Sequence, residues 1–488
     1  MFVDNIIIGA GPAGLQCAYF FNKFKIDYIL LERNSVSGSF FTKYPHSGKL
    51  ISINKIHTGN KNSNFNLRHD WNSLLNDENF LFKEYSMDYY PDKDDLVEYL
   101  NDFTKRFNIN ILYNKNVNKI YKENDQFKIT IKDSDEIFTC NKLIIGTGLT
   151  KMNIPSYLSN NIIDKIKHYG EYNKDFFLTK KNLKEFENKR VLIIGNGNAS
   201  YELAIILNNI ASHVVIHGRR FRNWAMVTHY SGDLRSIYLQ FMDTFLLKSL
   251  NAMLFYGENE YTITQTEEGG KFHYDNSLEW DYDKIILCTG WSFDASIFDF
   301  EVDLTINDKY PNIKFNYEST NITNLFFIGT LMHSHDYKRS SGAFIHGFRY
   351  LIEIFVKINY NINIDVYELD FNSLDDCSKL TSIIMDRFNN SSELYQMFGV
   401  IVDKIYYSIN NKKIYYYKNI TKLIDDKNID SNITIVLSLD YNHDKYVNTV
   451  SEIGIRQSRI GSEANAKLIH PIIKVYNSNT KELIEVMH

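Results

Sequence analysis

Proline is scarce in this chain of 488 residues, with 6 in all, and cysteine is scarcer, with 4. Cys17, Cys140, Cys288 and Cys377 stand far apart, so they spell neither a Cys-x-x-Cys dithiol nor a zinc knuckle. Scattered thiols of this kind fit a reducing compartment rather than a disulfide scaffold. No run of about 18 apolar residues occurs, which excludes a transmembrane helix. No basic stretch precedes the first apolar run, so a secretory signal is not expected and the cytoplasm is. There is no excess of positive charge either. A net charge of −5 gives no reason to expect nucleic acid or an anionic membrane as partner. The length leads to an expectation of about two to four domains.

What the chain does have comes almost at once. Asn5-Ile6-Ile7-Ile8-Gly9-Ala10-Gly11-Pro12-Ala13-Gly14 reads as a buried strand, a tight turn and a helix start. Leu30-Leu31-Glu32-Arg33 then reads as a second strand ending in an acid. In this pattern Gly9 permits the turn, Gly11 lets backbone approach a pyrophosphate, and Gly14 lets helix and strand pack closely. Pro12 suits the first helical turn, where its missing N–H costs nothing. The helix start, Ala13 included, offers N–H groups to phosphate, and Glu32 can accept from a ribose.

A second unit of the same kind begins at Arg190. Val191-Leu192-Ile193-Ile194 leads into Gly195-Asn196-Gly197-Asn198-Ala199-Ser200-Tyr201-Glu202, and the following strand is His213 to His217. This strand ends in Gly218-Arg219-Arg220, with no acid. Arginine there suits a 2′-phosphate, so Arg219 and Arg220 point to NADPH; the plainer reading is a pair of solvated surface cations. Strands ending in Gly146-Thr147-Gly148, Thr289-Gly290 and Gly329-Thr330 follow the two motifs.

The pattern predicts an α/β fold with two Rossmann-like dinucleotide-binding domains and a C-terminal α+β extension. Residues 1–153 and 291–365 form the first dinucleotide domain, 154–290 a second one inserted in it, and 366–488 the extension. Helices are expected over Asp94–Phe107, from Ser341-Gly342 to about Ile358, over Cys377–Phe388 and over Leu394–Tyr406. Strands are expected at Thr434–Leu437 and Leu468–Val475. The long segment 34–91 lacks a long periodic helix, and loops of that length usually carry function.

The two glycine motifs resemble those of two-dinucleotide-domain flavoproteins, and within these the flavin-containing monooxygenases. His168-Tyr169-Gly170-Glu171-Tyr172 is similar to the end of that class's signature, although Ile162 and Asp164 replace its Phe and Gly. Longer segments, among them Gly38-Ser39-Phe40-Phe41-Thr42, Phe65 to Leu75, Thr228-His229-Tyr230, Gly232 to Arg235 and Gly342 to Tyr350, resemble the endoplasmic-reticulum flavoproteins associated with degradation. The resemblance implies FAD at the first motif, with Arg33, Phe41, Val117, Gly148, Gly329 and Gly342 among its contacts, and NADPH at the second. It implies hydride transfer to flavin and a flavin C4a-peroxide that oxygenates a small amine, sulfur compound or ketone with O₂. Asn54 is the candidate hydrogen-bond donor in that chemistry, the alternative being a turn residue that stabilises its own loop. His333 is the candidate hydrogen bond to flavin or substrate, the alternative being a structural loop residue. His333 and His335 alone are too few for a metal. Two other readings stay open: a flavin reductase or thiol/disulfide oxidoreductase serving a protein partner, and a flavoprotein scaffold. The first of these has no Cys-x-x-Cys beside either motif to relay electrons. Residues 366–488 are the candidate surface for a homodimer or a protein partner.

Overall fold

Ile6, Ile7 and Ile8 are shielded on both faces, as a central parallel strand requires. In the computed structural model, residues 1–219, 223–246, 252–256, 263–265, 271–274, 281–305, 307–363, 366–371, 373–421, 431–441 and 469–487 are described. Strand Asn5–Ile8 lies at the middle of a parallel five-stranded sheet ordered Leu325–Phe327, Lys142–Ile145, Asn5–Ile8, Ile29–Leu31, Ile111–Leu112. Its register sets Ile6 against Ile29 and Leu143. Helix Pro12–Phe24 packs against helix Ile345–Asn359. A three-stranded antiparallel sheet, Val117–Glu123, Gln126–Ile131 and Ile137–Cys140, covers the same domain.

The second parallel sheet is ordered Ala252–Tyr256, His213–Gly218, Arg190–Ile194, Lys284–Leu287, Lys167–His168. Its core is separate, built on Val191, Ile193, Tyr201, Leu203, Val214 and Ile216. Where the chain crosses between the two sheets, Lys151–Met152 pairs antiparallel with Trp291–Ser292. Exit and return thus form one short ribbon, which makes the second sheet an insertion into the first.

The extension departs from its expected elements. It contains a six-stranded antiparallel sheet ordered Val366–Asp370, Lys413–Thr421, Ile401–Ser408, Ile433–Asp440, His470–Asn477, Leu483–Met487. The expected helix Leu394–Tyr406 is instead a short helix, Ser392–Gln396, followed by strand Ile401–Ser408. Gly399, at φ +66°, ends the helical path between them. Strand Ile401–Ser408 is buried on nearly every residue, so it shows no polar alternation. Helix Leu374–Asn390 forms as expected, with Ser373 and Asp376 as a capping box. The expected strand Leu468–Val475 runs from His470 to Asn477, and Leu468 lies outside the described residues. Arg387 anchors the extension internally, paired with Asp403 at 2.7 Å and Glu393 at 2.9 Å. Arg68 ties it to the first domain by donating to the carbonyls of Ser391 and Phe388. Among the described residues no helix is long and apolar enough to cross a membrane.

Candidate functional site

At the first motif, Gly9 has φ +102°, and a Cβ there would approach the Gly146 carbonyl oxygen to 2.9 Å. A Cβ at Gly14 would overlap the Gly9 carbonyl oxygen, whereas one at Gly11 would meet nothing within 4 Å. The first two glycines are therefore demanded by the protein itself. Gly11 is demanded by nothing in the protein and leaves open backbone where Pro12 begins the helix. Buried Ala13 fits against Gly329, which has no side chain to collide with it. The Glu32 carboxylate is buried, accepting from the N–H groups of Ala10 at 2.8 Å and Asn34 at 2.9 Å. That fixes a hydrogen-bond acceptor at the end of the second strand, beside the loop. Gly148, at φ +69°, is open around its Cα. Arg33 lines a cleft of 340 Å³ with Ser39, Lys43, Leu149 and Trp291, from both sides of the ribbon. Phe41 and Val117 are half-buried against the core of the first domain.

The second loop repeats this logic. Gly195 has φ +111° and no room for a Cβ under the Cys288 carbonyl, while Gly197 is open. Asn198 and Ala199 are partly accessible at the start of helix Asn198–Leu207. The Asn198 side chain donates to the Asp233 carbonyl at 3.0 Å and accepts from the Arg235 N–H at 3.0 Å, holding that segment beside the loop. Arg219 is exposed just past strand His213–Gly218, and Arg220 lies outside the described residues.

The model of the pyridine nucleotide-disulphide oxidoreductases matches residues 6–329. The chain belongs to that family. In sequence it is 37% identical over 441 residues to mouse (Mus musculus) FAD-dependent oxidoreductase domain-containing protein 2. That match covers 82% of this chain but 64% of the mouse protein, so the chain spans just under two thirds of that relative. In structure it is similar to a flavin-containing monooxygenase from Stenotrophomonas maltophilia, at TM-score 0.56 and 18% identity, covering 74% of this chain and 99% of that one. It is also similar to the bacillithiol disulfide reductase of Staphylococcus aureus, at TM-score 0.50 and 20% identity, covering 68% and 90%. At these identities the structural likenesses speak for the fold. The open backbone at Gly11 beside Glu32 fits a dinucleotide.

In this pyridine nucleotide-disulphide oxidoreductase, several residues expected to touch cofactor or substrate instead hold the domains together. Glu202 is turned into the protein, where it accepts from the Ser47 N–H at 2.6 Å and the Tyr169 hydroxyl at 3.1 Å. Burial lifts its carboxyl to about 7, against the pull of those two bonds. Ser200, on the same helix, is likewise fully buried. Glu202 thus faces Ser47 of the first domain, whereas Ser200 packs inside the second domain beside Cys288. His333 has no exposed surface: Nδ1 lies 2.8 Å from Asp336 and Nε2 lies 2.9 Å from the Tyr230 hydroxyl. Both ring nitrogens are thus spent on the protein, and the contact crosses from one dinucleotide domain to the other.

Gly342 does not open a helix; its N–H donates to Asp336 at 3.0 Å, and the helix starts at Ile345. A Cβ at Gly342 would overlap that carboxylate. The Asn54 amide donates to the Ser86 carbonyl at 2.8 Å and sits within 3.4 Å of the Asp88 carbonyl. It ties down the following loop, which leaves that donor unavailable to an oxygen substrate. Tyr230, Asp336, Ser47 and Tyr169 complete these links; Tyr230 and Tyr169 stand inside segments that carry the family resemblance, but nothing there marks them as contacts between domains, and Ser47 and Asp336 carry no motif. Among the described residues no group of three or more metal-ligating side chains is brought together.

Proposed function

We propose that the chain is an NADPH-using, FAD-dependent monooxygenase that passes an oxygen atom from O₂ to a small substrate. The observation that carries this reading is the state of its thiols beside two open dinucleotide loops. Cys17, Cys140 and Cys288 are buried and unpaired, and burial raises each thiol, that of Cys140 to about 12. Such thiols are inert, so the chain offers no dithiol to take electrons from a reduced flavin. Bound FAD supplies hydride acceptance and oxygen activation. The protein positions it: Gly9 to Gly14 receive the pyrophosphate, Glu32 the ribose, and the Gly195 to Ala199 loop receives NADPH with Arg219 at its 2′-phosphate.

The test is anaerobic reduction of the FAD-loaded protein by NADPH, followed by rapid mixing with O₂. The expected result is loss of the oxidised-flavin absorbance, then a delayed return with peroxide released below one per NADPH once a substrate is present. Immediate reoxidation with one peroxide per NADPH under every condition would count against oxygenation. Failure of NADPH to bleach the flavin would remove the reading altogether.

A further inference from the structure

We propose that Arg235, with Trp71, Tyr89 and Tyr90, forms a subsite that binds the carboxylate of a small aromatic acid. This rests on the oxidoreductase reading above and names the class of its substrate. Arg235 belongs to the inserted domain, yet its Nη1 donates to the Ile51 carbonyl of the first domain at 2.8 Å. Its guanidinium carbon lies 5.0 Å from the centre of the Trp71 ring. The Tyr90 hydroxyl stands beside it as well. Among the described residues no carboxylate pairs with it. The nearby acids are engaged elsewhere, Asp88 with Lys49 at 2.9 Å and Asp233 with the Thr228 hydroxyl at 2.8 Å.

A desolvated guanidinium without a counter-charge is costly unless something anionic arrives. Other arginines in the chain show how that cost is normally met. Arg387 has two carboxylates, while Arg349 and Arg68 are sealed in and each donates to two carbonyls. Arg235 differs in being reachable. It stands beside Tyr89, which is 48% exposed, and the same loop ends in Met87, 75% exposed.

A second, independent observation lies behind Trp71. His346 is 1% exposed, stacks on the Trp71 ring at 4.1 Å, and has neither ring nitrogen paired. Burial, then the charges of Arg349 and Arg235, keep its imidazole neutral. This corner therefore gathers two guanidiniums and an unpaired polar group; its nearest buried acid, Asp70, is spent on Asn72 and Ser73, and among the described residues no carboxylate pairs with Arg235. A guanidinium fork matches a carboxylate through two parallel hydrogen bonds. Tyr89 and Tyr90, with ring centres 4.9 Å apart, supply the apolar and aromatic wall that a ring beside that carboxylate needs.

The backbone of Arg235 is held by Asn198 at the second glycine loop, so a phosphate of NADPH is the other possible source of an oxyanion. The experiment separates the two. Phenylacetate and its neutral isostere phenylacetamide are titrated calorimetrically into oxidised, FAD-loaded protein, with NADP⁺ titrated in parallel. Phenylacetate is expected to bind at least about tenfold tighter than the amide, the factor one charge-assisted hydrogen bond supplies. Arg235→Gln should erase that preference and leave NADP⁺ affinity within about twofold; Arg235→Lys should keep part of it. Equal binding of acid and amide by the wild type overturns the proposal, and this comparison needs no variant to fold. A preference that survives Arg235→Gln overturns it too. So does loss of NADP⁺ binding with no change for phenylacetate. No turnover is measured, so a failed oxygenation reading leaves this result standing.

Discussion

The carboxyl of Glu202 is the group whose titration should be felt across the whole interface between the two dinucleotide domains. It is raised by burial from 4.5 to about 7, and its partners are a backbone N–H of one domain and a tyrosine hydroxyl beside the other. Tyr169, Tyr238 and the Cys288 thiol feel its charge, and each is raised partly by it. His46, whose N–H bonds the Tyr169 hydroxyl, is held down to about 4 by burial and stays neutral. Glu202 is thus the one member of this cluster that changes charge near neutrality. Because its folded pKa is raised, the stability it contributes is full below pH 4.5 and lost as pH rises through about 7. A shift of that size corresponds to about 3 kcal/mol, or about two orders of magnitude in the opening equilibrium. Hydrogen exchange of the Ser47 amide, corrected for intrinsic base catalysis, reads that opening directly. Protection should fall by about a hundredfold between pH 5 and pH 8 in the wild type. In Glu202→Gln, which copies the neutral acid, it should stay flat. Parallel pH profiles for wild type and variant would refute the argument.

Other outcomes follow from the same geometry. Gly11→Ala should leave the apo protein's melting unchanged while weakening FAD binding, because nothing in the protein meets the new methyl. Gly14→Ala should instead cost about 3 kcal/mol or more of stability, since the methyl meets the Gly9 carbonyl; equal effects in the two variants would contradict this. Arg219→Ala should raise KM for NADPH far more than for NADH in steady-state assays, and equal changes would remove its 2′-phosphate role. Tyr230→Phe deletes the hydroxyl bonded to His333 and leaves a buried nitrogen unpaired. It should lower unfolding stability by about 1 to 3 kcal/mol in denaturant titration, with no loss of FAD; an unchanged midpoint would show the link is idle.

Both glycine loops were legible in the sequence because strand, glycines, helix start and second strand follow one another within about thirty residues. Gly9, Gly14 and Gly195 are dictated by carbonyls of their own or an adjacent strand, and Glu32 caps the loop it follows. Glu202 and His333 were legible only as polar residues in promising places. Their partners, Ser47 and Tyr230, belong to the other domain, and no local pattern announces a contact that exists only after two domains dock. Gly342 differs for a local reason: the acid that fixes it, Asp336, folds back on it from six residues away and delays the helix to Ile345. In the extension, strand Ile401–Ser408 is covered on both faces, so its apolar run matched a helix as well as a strand. Arg235 stood only as the last residue of the segment Gly232 to Arg235, with nothing in it to mark a role. It matters because of a carboxylate it does not have, and absence of a partner cannot be read along a chain.

The ribbon of Lys151–Met152 against Trp291–Ser292 has a consequence for the order in which the molecule is made. Strand Leu325–Phe327 is the neighbour of Lys142–Ile145 in the first sheet, but the whole inserted domain is synthesised between them. During translation the outer sheet must wait with an open edge, its Leu143, Ile144 and Ile145 uncovered on that side. The inserted domain can close first, since its strands lie nearer one another in sequence. Once closed, it brings Met152 and Trp291 side by side and shortens the loop that the last outer strand must span. The insertion is then the template on which the flavin domain finishes folding, so a lesion that slows the inserted domain should leave the FAD site unformed.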